Sequence, residues 1–309
     1  MEFVHSFPRE SAGKSDSKSI QRAVRMLEML LIHGPLLIPE IIIIPELEGT
    51  NQRHRAFPIL QNRFCFTVFE RKMVRDHMSV FGPISITFNY EALVLSGAVP
   101  VFYFPSFEGS YNTNDLGVTL IHRLRIILEF LQNYRDLKTL SHEELSYVLD
   151  LNVKLEDLTQ FNELLAAFEK ACNLDESVFS NMEGALQSIS ELLYPTDRSR
   201  DLERAKLQYF AQREWRLLSD LKLSGKEVSE YLDNSIKTEL LDLNYNFFNS
   251  GIEFQNRFFR RVDLVQKLTI DHYNRFIKGV TGIYVDQQCF DFVSKMIKQS
   301  RFNIPIQVV

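Results

Sequence analysis

Cysteine is scarce in this sequence. Cys65, Cys172 and Cys289 are far apart, and none forms a CxxC pair. That argues against a disulfide framework and against zinc-ligand spacing, and a reducing cytoplasmic setting is expected. Long apolar runs are also missing. The longest, around residues 41–44, is bounded by Pro39, Glu40 and Pro45, well short of the roughly 20 residues of a membrane span. The opening Met-Glu-Phe-Val-His has no basic segment followed by an apolar one, so no secretory leader and no membrane partner are expected. Gly-rich phosphate loops, GxSxG, HExxH and paired-histidine spacings are absent, so the common nucleotide, acyl-transfer and metal motifs give no lead, and no metal ligands are expected. Positive charge is in deficit, with 35 Lys and Arg against 40 Asp and Glu and a net charge of -5. A broad, sequence-independent nucleic-acid binder needs the opposite balance; a local basic groove stays open.

What the sequence does have is apolar material. Of 309 residues 45% are hydrophobic and 24% charged, with 25 phenylalanines. That is a globular composition with an aromatic core, long enough for one large domain with an insertion or for two domains. Residues 2–7 read as a strand. Ala23, Val24, Leu27, Leu30 and Leu31 have helical spacing, and His33-Gly34-Pro35 stops that helix. An extended run is expected at 36–44, a polar loop at 49–55, strands at 63–69, 84–88 and 99–104, and short helices at 70–80 and 90–95. The alternation Ile84-Ser85-Ile86-Thr87-Phe88 predicts a half-buried strand. From 107 to 205 strand signals nearly vanish, and helices are expected near 120–131, 155–172 and 175–193. Residues 221–243 and 252–261 read as helical or irregular, and a strand, helix and strand close the chain. The expected fold is α+β: a mixed or antiparallel split sheet with flanking short helices and a large all-helical insertion. Its boundaries are 1–106 for the first part of the core, 107–205 for the insertion and 206–309 for the second part.

The conspicuous stretch is Arg213-Glu214-Trp215-Arg216, which holds the single tryptophan. In a strand, alternation puts Glu214 and Arg216 on one face and Arg213 and Trp215 on the other. Glu214 is open to two readings: an ion-paired carboxylate, or a base or hydroxyl-orienting group in a partly buried pocket. Arg213 and Arg216 could pair with it or grip a phosphate. His5 is a core histidine or a ligand-orienting donor. His77 is a surface or packing residue. Tyr103 sits on an apolar strand and its hydroxyl needs a partner. Cys65 reads as a small buried residue.

Four blocks carry a family resemblance. They are Phe3-Val4-His5 with the following helix and Gly34; Phe64-Cys65-Phe66-Thr67; His77 through Phe81-Gly82-Pro83-Ile84-Ser85-Ile86-Thr87-Phe88 to Gly97 and Val101-Phe102-Tyr103; and Arg213-Glu214-Trp215-Arg216. In this order, over roughly half of the chain, they resemble the AbiGi-like family of abortive-infection (phage-resistance) proteins. The resemblance implies a bacterial anti-phage defence protein of toxin–antitoxin type, acting through a protein partner, a cognate effector or toxin. The early histidine and late glutamate also look like the ADP-ribosyltransferase layout. On that analogy His5 and Glu214 would be catalytic, Arg213, Arg216, Tyr103 and Thr67 would bind ligand, and NAD would be the cofactor. Ser6-Phe7-Pro8 departs from the polar or threonine-containing sequence of that layout.

Overall fold

The computed structural model describes residues 2–7, 17–44, 47–48, 53–54, 56–106, 111–112, 116–139, 163, 166–167, 170, 186, 189, 192–197, 213–219, 222–223, 226–254 and 256–309. The chain forms two compact units. The first comprises Met1–Ile44, Ala56–Glu108 and Tyr194–Val309, and the second Pro45–Arg55 and Gly109–Leu193.

The fold is α+β. The first unit is built on a ten-stranded, mostly antiparallel sheet. Its elements are β1 (Glu2–Phe7), α1 (Ser17–His33), β2 (Leu36–Ile44), β3 (Phe57–Phe69), α2 (Val74–Phe81), β4 (Ile84–Phe88), α3 (Tyr90–Leu95), β5 (Val99–Pro100) and β6 (Phe102–Ser106). After the second unit come β7 (Glu214–Leu218), β8 (Ser229–Tyr231), α5 (Asn234–Leu243), α6 (Tyr245–Phe248), β9 (Gly251–Phe254), β10 (Arg257–Arg260), α7 (Arg261–Leu264), β11 (Gln266–Leu268), α8 (Ile270–Lys278), β12 (Val280–Val285), α9 (Phe290–Gln299) and β13 (Ile306–Val308). The main path runs β8-β11-β2-β3-β1-β4-β12-β13, with β7 and β5 attached through β3.

The long strand β3 is the hinge of this layout. Its first half pairs with β2, from Phe57 opposite Ile44 to Arg63 opposite Ile38. Its end pairs with β1, from Thr67 opposite Val4 to Phe69 opposite Glu2. A residue has only two ladder edges, and Thr67 also faces Glu214 while Arg63 also faces Leu218. So β2 and β1 share one edge of β3 in succession, and β7 takes the other. Between Val4 and Ile38 the sheet splits: β1 continues along β4 only, pairing through Phe7.

Alternation then sorts the side chains. One face carries Phe3, Phe7, Phe64, Phe66, Leu217, Ile84, Ile86, Phe88, Ile283 and Val285, all in the main core cluster. Helix α1 covers that face with Ile20, Ala23, Leu27, Leu30 and Leu31, and α8 and α9 with Phe276, Val293 and Ile297. The opposite face carries Val4, Phe69 and Tyr284, packed on Val74 and Met78 of α2. Ser85 and Thr87 are therefore covered as well, and all five residues of β4 are buried. The alternation there distinguishes two buried faces of different polarity, not inside from outside.

Helix α1 stops where its glycine demands. Gly34 has φ +90, a left-handed conformation suited to glycine after a helix. Its N–H donates to Leu30, and the Tyr273 hydroxyl donates to the Leu31 carbonyl at 2.6 Å.

Several expectations need correction. β3 begins six residues earlier than the strand read from 63–69. Residues 99–104 form two strands, and Pro105 lies inside the second. Residues 222–231 contain short strands, and 252–261 contains the antiparallel hairpin of β9 and β10. In the second unit Leu47–Glu48 pairs with Arg53–His54, which falls in the loop expected at 49–55, and with Tyr111–Asn112, where no strand is expected. Leu116–Thr139 is a helix, labelled α4. Most of the helices expected at 155–172 and 175–193 lie outside the described residues. Among the described residues no helix is long and apolar enough to cross a membrane.

Candidate functional site

The register of β3 and β7 assembles the site. Glu214 faces Thr67, Trp215 faces Phe66, Arg216 faces Cys65 and Leu218 faces Arg63. Paired residues share a face of the sheet. Glu214 and Arg216 therefore lie with Thr67, Cys65 and Arg63 on the face that carries Val4. Trp215 lies on the other, packed on the main cluster, with its ring edge-on to Phe3 at 5.4 Å and to Tyr90 at 5.7 Å.

On the polar face the groups bond to one another. Arg216 is only 1% exposed. Its Nε donates to Glu214 Oε1 at 2.8 Å and its Nη1 to Gln61 Oε1 at 3.2 Å. The Tyr103 hydroxyl donates to Glu214 Oε2. Two positions along β3 from Gln61, Arg63 donates to Glu40 on β2. Glu40, Arg63, Arg216 and Glu214 thus form a row of two cations flanked by two carboxylates across three strands, with no net charge.

The electrostatics follow from this ladder. Burial pushes the Glu214 carboxyl up, but Arg216, Arg63 and a hydrogen bond from Cys65 outweigh it and hold the pKa below the ordinary range. Burial would lower Arg216, and Glu214 more than offsets it. Burial and then the Glu214 charge push the Cys65 thiol up to about 12, so it is protonated and a poor nucleophile. Burial and Glu214 likewise raise the Tyr103 phenol. A carboxylate with both oxygens engaged and a depressed pKa makes a weak base.

Of the residues singled out in the sequence, the structure brings together Glu214, Arg216 and Tyr103, with Thr67 beside Glu214 in register. Arg213 is an exposed turn residue whose carbonyl accepts from Val68 N at 3.0 Å. His5 goes elsewhere. Like Phe3 and Phe7 it points to the main-core face, its ring stacked on Phe64 at 3.9 Å and edge-on to Phe7 at 4.6 Å. Its Nδ1 lies 2.7 Å from the Cys65 carbonyl. A carbonyl only accepts, so Nδ1 carries the proton, and the imidazole closes the gap where β1 leaves β3. Burial lowers its pKa to about 4, with the Cys65 bond opposing. His5 and Glu214 sit on opposite faces of β3 and make no common pocket here.

Sequence reasoning missed a second polar cluster on the Glu214 face. Ser6 Oγ is 3.0 Å from His77 Nδ1 and bonded to Ser85 Oγ. His77 is 2% exposed, and burial, then the nearby His5, lower its pKa to about 3. Next to it Thr87 and Thr281 hydroxyls lie 2.8 Å apart. The polar beats of the Ile84–Phe88 alternation were the available signal. Likewise Gln61, Arg63 and Cys65, two apart, were the signal for the ladder on β3. No three His, Cys, Asp or Glu side chains among the described residues are placed to hold a metal ion.

The chain matches no family model, no curated protein and no solved structure.

Proposed function

We propose that this chain is a bacterial, cytoplasmic defence protein of the abortive-infection type that acts by binding a cognate effector. It does no chemistry of its own. The family side of the reading rests on the four sequence blocks and their order. One observation favours binding over catalysis: Glu214 is closed into a neutral ladder with Arg216 and Tyr103, and His5 faces away from it.

A contact surface is available on α4. Leu120, Ile126 and Ile127 are 46%, 38% and 43% exposed. At 100° per residue they fall with exposed Arg123 in one arc of the helix. An apolar stripe of this kind suits a protein partner.

The test is co-expression with the product of the adjacent gene, followed by pull-down and size-exclusion chromatography. The pair should co-elute, and Leu120→Asp/Ile127→Asp should abolish co-elution while leaving the circular dichroism spectrum intact. Co-elution that survives this variant overturns the assigned surface, and no complex with any neighbouring product overturns the binding role. Purified protein should consume no NAD, with or without Glu214→Gln. Turnover that Glu214→Gln removes would favour the other reading, an NAD-consuming ADP-ribosyltransferase using His5 and Glu214.

A further inference from the structure

We propose that two copies of this chain pair through β13, antiparallel about a twofold axis at Gln307, so that their ten-stranded sheets join edge to edge and their α9 helices lie side by side. The proposal is independent of the effector-binding role.

A strand edge with unpaired N–H and C=O groups is a template for another strand, and proteins blunt such edges with proline or charge. Several free edges of this sheet show that treatment. Asn62 O accepts from Ser219 N on the β7 side, so residues 58, 60 and 62 of β3 turn their backbone groups to that side. Beyond β7 that row meets Pro58, which has no N–H. Pro39 opposes Asn62 and so turns outward on β2, where its carbonyl is taken by Arg261. Val101 N donates to the Glu214 carbonyl, which leaves Pro100 as the outward residue of β5. At the far end of the sheet β8 carries Glu230, paired with Lys267 at 3.4 Å.

β13 has neither device. Ile283 N donates to Pro305 O and Val309 N donates to Val285 O. Residues 305, 307 and 309 therefore face β12, and Ile306 and Val308 turn their N–H and C=O outward. Among the described residues nothing bonds to those outward groups. Val308 is 38% exposed, and residues 304–309 include no charged side chain. With Gln307 opposite its own copy, Ile306 faces Val308 twice, and both are the hydrogen-bonded pairs of an antiparallel ladder. Four N–H···O bonds form.

An unrelated extended peptide would make the same backbone bonds, and α9 decides for the second copy. Val293 and Ile297 of α9 pack with Ile306 in the main cluster, so the helix lies over this edge. Asp291 in its first turn and Lys298 in its last are exposed. They are two turns apart, hence on one stripe, and in the right-handed sense of a β-α-β crossover that stripe leans to the open side of β13. They are also symmetric about the helix midpoint. The twofold therefore sets Asp291 of each α9 against Lys298 of the other, and the antiparallel helix dipoles agree in sign. A peptide lacks this complement, and parallel pairing would set like ends together. On the opposite face Gln307 accepts from Arg71, which lies over Tyr284, the residue that donates to Glu2. A carboxylate thus accompanies each guanidinium there. One short strand and one helix stripe make a small interface, so the affinity is expected in the micromolar range.

The experiment is sedimentation equilibrium of the full chain at low salt, over about a hundredfold range of concentration around that affinity. It should show a monomer–dimer equilibrium. Val308→Pro removes an N–H that no intramolecular bond uses. It should leave the thermal midpoint nearly unchanged and weaken the dimer more than about tenfold. Asp291→Lys and Lys298→Asp should each dimerise at least about threefold more weakly alone. Mixing the two should restore the wild-type affinity, because every α9 contact is then opposite in sign. Gln307→Cys should cross-link to itself on mild oxidation, since facing residues of a non-bonded antiparallel pair sit about 4.5 Å apart at Cα, and Val308→Pro should suppress that cross-link. A chain that stays monomeric and does not cross-link overturns the proposal. So does a dimer that Val308→Pro leaves intact, or a charge-swapped mixture no tighter than its components. If Val308→Pro instead abolishes only the complex with the adjacent gene's product, the edge takes that partner's strand and the second copy is excluded.

Discussion

Replacing Arg216 by methionine removes a guanidinium that is 1% exposed and bonded to Glu214 and Gln61. The carboxylate of Glu214, with 14% of its side chain exposed, then keeps only Tyr103, Cys65 and the more distant Arg63. Removing one partner of a buried ion pair costs about 3–5 kcal/mol, a large share of the roughly 5–15 kcal/mol that holds a domain folded. Glu214→Gln should be costly for the mirror reason, since it strands the Arg216 cation. If the two groups interact as the distances say, the double variant should lose less than the sum of the singles, by about 0.5–3 kcal/mol. Urea unfolding of the four proteins measures this. The pH dependence supplies a sign. In the wild type the Glu214 pKa lies below its unfolded value of 4.5, so its contribution is present above that value and lost as pH falls through the folded pKa. In Arg216→Met burial loses its main opponent and pushes the carboxyl up. Its folded pKa then exceeds the unfolded one, and the variant should recover part of its deficit between pH 7 and pH 5. A cost under about 1 kcal/mol, strict additivity, or a deficit that widens on acidification would each refute the buried-pair reading.

Two further outcomes follow from other parts of the molecule. His5 and His77 have folded pKa values of about 4 and about 3 against 6.5 unfolded, so the unfolded chain takes up protons first. Stability should be whole above about pH 6.5 and fall as pH drops toward the folded values, by about 2 kcal/mol per histidine at pH 5. Urea midpoints at pH 7 and 5 read this, and His77→Gln should remove about half of the slope; an unchanged slope would contradict the burial argument. Gly34→Ala should cost about 1–2 kcal/mol from the left-handed backbone alone, and its Cβ would meet Tyr273 Cδ2 at 2.9 Å. Its thermal midpoint should fall, and an unchanged one would show that the turn relaxes freely.

Elements with local signals were legible in the sequence. β1, α1, β2, β4, α3, β12 and α9 each follow from periodicity and a stop signal. What was not legible depends on pairing partners far away. Residues 57–62, with Pro58, Gln61 and Asn62, fall between the loop read at 49–55 and the strand read from 63, yet β2 pairs with all of them, from Ile44 opposite Phe57 to Pro39 opposite Asn62. The stretch read as one strand at 99–104 divides at Val101: Val99–Pro100 pairs with β7, where Val101 N–H still donates to the Glu214 carbonyl, and Phe102–Ser106 is a separate strand. The hairpin at 251–260 lacks the strict polar and apolar beat, since Phe258 is apolar and outside. For the site, alternation placed Glu214 with Arg216 and Trp215 opposite. It could not relate Glu214 to His5. Their faces are linked only through the register of β3, where Thr67 meets both Val4 and Glu214. Val4 shares the Glu214 face, so its neighbour His5 takes the other.

That register also explains why a neutral polar ladder belongs inside a sheet so rich in phenylalanine. A slip of one residue between β3 and β7 would turn every side chain over. Glu214 and Arg216 would enter the cluster of Phe64 and Phe66, and Trp215 and Leu217 would land on the polar face among Thr67, Cys65 and Arg63. Apolar contacts alone distinguish such alternatives weakly, because one phenylalanine packs much like another. Two unpaired charges in an aromatic core cost several kcal/mol each. Replacing the ladder by apolar side chains would remove that penalty from the slipped pairing while leaving the native one intact. On this argument the ladder selects β7 for its place on β3, with Tyr103 of β6 and Glu40 of β2 fastened to the two ends of the same row.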